Sequence, residues 1–133
     1  MIQAPGQPYR VLLIEDSRDD AELIEIALRE GGLAVECHRA WSDATVRAAL
    51  DGPAAQCVLS DFNLPGFSCM EALALVRAHD PALPFVLLTG SPAAALPEPP
   101  PAADAILSKD DLPDLPGLVR RLLQKRPRPE PPG

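Results

Sequence analysis

The sequence predicts an α/β fold: a doubly wound, five-stranded parallel sheet in which the helix between the fourth and fifth strands is reduced or missing. Short apolar runs alternate with stretches of helical spacing over about 115 residues, the pattern of βα units. The runs are too uniformly apolar to face water on either side, so helices must cover both faces of the sheet. Two of the runs end in carboxylates, Glu15-Asp16 after the first and Asp61 at the third. In an open α/β sheet, sites form at that carboxyl edge.

Each element has its own signal. Val11–Ile14 reads as the first strand. Ser17 is a helix cap with Asp20 three residues on, and Asp19 and Glu22 suit the positive end of the helix dipole. Leu23, Ile24, Ala27 and Leu28 give helical spacing, and Gly31-Gly32 ends that helix. Leu33–His38 reads as the second strand, and Ser42 opens a helix that runs through Leu50 to the stop at Gly52-Pro53. Cys57–Ser60 is the third strand, and Ser68 with Glu71 forms a capping box for a helix to about His79. Phe85–Leu88 is the fourth strand, ending at Thr89-Gly90; Ala105–Ser108 is the fifth, ending at Lys109. Leu115–Lys125 is the last helix, with Leu115, Leu118, Val119 and Leu122 on one face.

Residues 91–103 break the pattern, because Pro92, Pro97, Pro99, Pro100 and Pro101 fall where a helix is expected. An interior proline costs on the order of 3 kcal/mol. Ser91 as cap and Pro92 as first helical residue support one turn through Leu96 at most, leaving an extended cover beside the pocket.

At 133 residues the chain has room for one domain. Residues 1–8 read as a flexible leader, 9–125 as the folded domain and 126–133, with four prolines, as a Pro-rich tail. No apolar stretch approaches the roughly 20 residues of a membrane helix. The amino terminus lacks the basic start and apolar stretch of a signal peptide. With Cys37, Cys57 and Cys69 odd in number and lacking Cys-x-x-Cys spacing, reduced thiols and a cytoplasmic location are expected. Residues 1–114 carry a net charge of −11 and residues 115–133 one of +4. The acidic body argues against direct nucleic acid binding, while Arg120, Arg121 and Lys125 suit the last turn of a helix. Trp41, His38 and His79 read as packing or surface positions.

Glu15, Asp16 and Asp61 would bring three negative charges together at the strand ends. Unpaired, they repel or raise one another's pKa. A hard divalent cation such as Mg²⁺, with its preference for oxygen ligands, relieves this. Thr89 and Lys109 close the neighbouring strands and offer a hydroxyl and an ammonium, which suit a phosphoryl group. Asp61 can then act as nucleophile, with Mg²⁺ and Lys109 balancing the charge of the transferring group.

Over residues 9–125 the chain resembles the receiver domain of bacterial two-component response regulators, a flavodoxin-like (βα)5 fold. The matching stretches are Val11-Leu12-Leu13-Ile14-Glu15-Asp16-Ser17, Leu59-Ser60-Asp61-Phe62-Asn63-Leu64-Pro65-Gly66, Leu87-Leu88-Thr89-Gly90 and Ile106-Leu107-Ser108-Lys109. The resemblance implies that Asp61 accepts phosphate from a sensor kinase histidine or a phosphotransfer protein. It implies that Glu15, Asp16, Asp61 and the backbone carbonyl of Asn63 bind Mg²⁺. Thr89 and Lys109 would contact the phosphoryl oxygens, and Thr89 would shift on phosphorylation. Such a chain is a phosphoacceptor switch rather than an enzyme, capable of losing its own phosphate, with an unknown downstream protein partner and a possible homodimer.

The chain departs from the family pattern at three places. Ile106 stands where an aromatic switch residue is usual, Asp110 where a proline often follows the lysine, and the fourth helix gives way to prolines. Ser108-Lys109-Asp110-Asp111-Leu112 is similar to receivers that work with sensor kinases or phytochromes. Two other readings compete. A pseudo-receiver would keep the pocket as a docking module without phosphorylation. A hydrolase of the haloacid-dehalogenase type would need a second acid two residues after Asp61, where Asn63 stands, and room for a cap domain.

Overall fold

The computed structural model describes residues 8–90 and 102–125. Five strands run in the order β2-β1-β3-β4-β5, and every neighbouring pair is parallel. They are β1 (Tyr9–Ile14), β2 (Val35–Ala40), β3 (Cys57–Asp61), β4 (Phe85–Thr89) and β5 (Ala105–Ser108). The helices among the described residues are α1 (Arg18–Glu30), α2 (Asp43–Asp51), α3 (Cys69–His79) and α4 (Leu115–Lys125), with a 3₁₀ segment at Lys109–Asp114 before the last. The reduction of the helix between β4 and β5, read from the prolines, falls mostly on residues 91–101. These lie outside the described residues, as do the leader and the tail.

Alternation along the strands divides the core in two. Leu12, Ile14, Val58, Phe85 and Leu87 point to one face, where Val46 and Leu50 of α2 and Ala72, Leu73 and Val76 of α3 pack on them. Val11, Leu13, Leu59, Val86 and Leu88 point to the other, under Ala21, Ile24 and Leu28 of α1 and Leu115 and Val119 of α4. Each fully buried aliphatic side chain contributes about 1.5–3 kcal/mol of transfer free energy, so both faces need their helices. The uniform apolar runs follow from that double cover.

The helices begin where the caps stand. Ser17, Ser42 and Ser68 each accept a bond from the backbone N–H three residues on, and Ser68 with Glu71 forms the expected reciprocal box. Ser42 has a second such box with Thr45, which the sequence reading did not single out. At the other end of α1, Gly31 lies against α4: a Cβ there would stand 2.2 Å from Cγ of Pro116. Gly32 follows at φ +89°, where a side chain is strained.

One strand needs correction. The second strand spans Val35–Ala40, not Leu33–His38. Leu33 still belongs to the helix terminus, its N–H bonded to the carbonyl of Leu28 and its side chain buried, so extended pairing begins only at Tyr9↔Val35. After β5, Ser108 caps the 3₁₀ segment, which the sequence reading left unassigned, by accepting from the N–H of Asp110 at 3.1 Å. On the opposite edge, Arg77 of α3 ties β4 to β5. It donates to the carbonyls of Ala102 (2.8 Å) and Leu83 and to Asp104 Oδ2 (3.0 Å), which also accepts from the N–H of Phe85 (2.7 Å).

Candidate functional site

The strand order reverses direction between β1 and β3, and at such a switch point the carboxyl ends of two neighbouring strands open a crevice. Asp61 is the last residue of β3, and Glu15 and Asp16 follow directly on β1. The three carboxylates converge: each offers an oxygen, and these atoms lie within 4.8 Å of one another. Glu15 is buried, Asp61 half-buried and Asp16 exposed, so the cluster opens to solvent on one side.

Lys109 enters from the far side of the sheet, one residue past β5. Its ammonium donates to Glu15 Oε1 at 2.7 Å and to Asp20 Oδ2 at 3.0 Å, and lies 3.5 Å from Asp61 Oδ1. Thr89 ends β4 in a buried position, one residue beyond the Asp61↔Leu88 pair and opposite Ser108. Asn63 is exposed, and its N–H donates to Asp61 Oδ1 at 3.3 Å, which fixes the turn after the strand. The five side chains expected from the sequence therefore stand at four adjacent strand ends.

The electrostatics are those of a site with more negative than positive charge. Burial raises the pKa of Glu15, and the bonds from Lys109 and from the N–H of Ser17 only partly offset it; Asp61 nearby adds to the rise. For Lys109, burial alone would lower the pKa, but the hydrogen bonds to Glu15 and Asp20 and the charge of Asp61 outweigh it and hold it above its ordinary value. An all-oxygen donor set with surplus negative charge suits a hard divalent cation such as Mg²⁺. Cys37, Cys57 and Cys69 form no disulfide among the described residues, and burial pushes the Cys37 thiol up to about 12.

Two residues at the site carried no such meaning in the sequence. Asp20 reads as a helix-cap partner, and its N–H does bond to Ser17 Oγ at 3.2 Å, yet its carboxylate turns to Lys109. Arg39, near the end of β2, donates to the backbone carbonyls of Glu15 (3.0 Å) and Asp16 (3.3 Å). Its guanidinium also sits 4.4 Å from the ring centroid of Trp41. No local pattern marks an arginine that braces a loop on a neighbouring strand. Trp41, His38 and His79 are exposed, as expected of surface positions.

No protein-family model matches the chain. It is 34% identical over 93 residues to the probable transcriptional regulatory protein TcrX of Mycobacterium tuberculosis, a match over 70% of this chain and 39% of that protein. The chain thus spans well under half the length of that curated relative. A solved structure from Chloroflexus aurantiacus, assigned as a response regulator, superimposes with a TM-score of 0.72 at 26% identity, over 90% of this chain and all of that one. The response regulator TrrA of Thermotoga maritima, solved in complex with Mg²⁺-BeF, gives a TM-score of 0.70 at 24% identity over 86% of this chain and 98% of that one.

Proposed function

We propose that this chain, a receiver domain of the response-regulator type, works as a Mg²⁺-dependent phosphoacceptor of two-component signalling, modified on Asp61. The observation that carries this reading is the meeting of Glu15, Asp16 and Asp61 with Lys109 at one crevice. Glu15, Asp16 and Asp61 would hold the cation, with the Asn63 carbonyl as a further oxygen. When bound, Mg²⁺ supplies positive charge against the phosphoryl oxygens. The Asp61 carboxylate attacks phosphorus, the bond from phosphorus to the donor's imidazole nitrogen breaks, and the ring keeps the electron pair. Lys109 neutralises charge on the transferring group, and the Thr89 hydroxyl donates to one of its oxygens.

The phosphate donor is a sensor histidine kinase or a phosphotransfer protein, met in the cytoplasm. Among the described residues no helix is long and apolar enough to cross a membrane. The site acts once on itself, as a switch rather than an enzyme with a separate substrate. Incubation with acetyl phosphate and Mg²⁺, followed by intact mass, tests the reading. Wild type gains one phosphoryl group and Asp61→Asn gains none. An unlabelled wild type would favour the docking-module alternative.

A further inference from the structure

Resting on the reading of Asp61 as phosphoacceptor, we propose that Asp20 is a positioning residue that tethers the Lys109 ammonium on the α1 side of the crevice. Lys109 then reaches a phosphoryl group on Asp61 only by giving up that ion pair. The distances set the order of preference. Lys109 lies 2.7 Å from Glu15 and 3.0 Å from Asp20, both within hydrogen-bond range, but 3.5 Å from Asp61, beyond it. In the unmodified protein the lysine is bound beside Asp61 rather than to it.

An ammonium has three protons; Glu15 and Asp20 take two, and with Nζ still 3.5 Å from Asp61, bringing the third onto a phosphoryl oxygen there draws Lys109 off one of its present partners. Glu15 cannot yield cheaply, because its side chain is 2% exposed and an unpaired buried carboxylate is costly. The Asp20 side chain is 43% exposed, so water can replace the lysine there. Asp20 is therefore the contact that breaks. Its charge also faces the place where an anionic group arrives, and both effects oppose phosphoryl binding. The reciprocal half of the α1 cap is unmade, since the N–H of Ser17 donates to Glu15 Oε2 at 3.2 Å while the Asp20 carboxylate is engaged with Lys109 across 89 residues of sequence.

A part-exposed pair of this kind corresponds to about two- to fivefold in an equilibrium constant. The test is calorimetric titration of beryllofluoride at saturating Mg²⁺ into wild type, Asp20→Asn and Asp20→Glu, with a thermal melt of each. Asp20→Asn is expected to bind about two- to fivefold tighter, and Asp20→Glu to match wild type. The gap between wild type and Asp20→Asn should close at about 1 M salt, where the Debye length is near 3 Å. A gain in affinity cannot come from damaged folding. Equal or weaker binding by Asp20→Asn, or a gain that survives high salt, overturns the tether while leaving the phosphoacceptor reading standing. A wild type that binds no beryllofluoride overturns both.

Discussion

At the scale of single residues, Lys109 carries the largest electrostatic burden. Its removal leaves Glu15 as a buried carboxylate without its cation. Lys109→Ala is expected to lower stability by about 2 kcal/mol, below the roughly 3–5 of a fully buried pair, because the lysine side chain is 21% exposed. The sign with pH follows from the shifts. The folded-state pKa of Lys109 is raised, so its stabilisation is fully present below 10.5 and is lost as pH rises through the higher folded value. Glu15 is raised above 4.5, so the fold binds more protons than the unfolded chain just above that pH, and stability falls as pH rises through this window. Urea denaturation should show the Lys109→Ala deficit largest near neutrality and shrinking toward acid, as Glu15 takes up a proton. A deficit independent of pH would contradict the pairing. Glu15, Asp61, Thr89 and Lys109 were legible in the sequence because each ends an apolar run. Asp20 was not, because a first-turn aspartate serves a cap or a distant lysine with the same local sequence.

At the scale of elements, starts were more legible than ends. A cap is a local chemical event, so Ser17, Ser42 and Ser68 marked three helices from sequence alone. The start of β2 depends on where Leu33 finds burial, which is a tertiary fact, and the strand was placed two residues early. The 3₁₀ segment at Lys109–Asp114 was not singled out, because Pro113 and three aspartates carry no helical spacing. The junction of α1 and α4 gives a sharp prediction. Gly31 has φ −82°, which any residue adopts, but its Cα faces Pro116 with no space for a methyl group. Gly31→Ala should cost about 1–3 kcal/mol by overpacking, and Pro116→Ala in the same chain should recover much of it. Thermal melts of wild type and the two variants decide this; an unchanged midpoint for Gly31→Ala would show that the two helices are not so close.

At the scale of the whole molecule, the fold was legible because strand and helix periods alternate without conflict, and a parallel sheet covered on both faces follows. The strand order 2-1-3-4-5 then brings Glu15, Asp16 and Asp61 together, although 45 residues of sequence separate Asp16 from Asp61. That convergence should make stability depend on divalent cations, since a ligand that binds only the folded state stabilises it by mass action. Millimolar Mg²⁺ is expected to raise the thermal midpoint of wild type and to have little effect on Asp16→Asn, whose own midpoint without Mg²⁺ should be no lower than that of wild type. Identical Mg²⁺ responses in the two proteins would mean that the acids do not share a cation. The most direct measurement addresses Asp61 itself. After acetyl phosphate and Mg²⁺, borohydride reduces an aspartyl phosphate to homoserine, and peptide mass spectrometry locates it. Homoserine is expected at position 61 and absent when EDTA replaces Mg²⁺; homoserine at any other aspartate, with residue 61 unchanged, would contradict Asp61 as the phosphoacceptor.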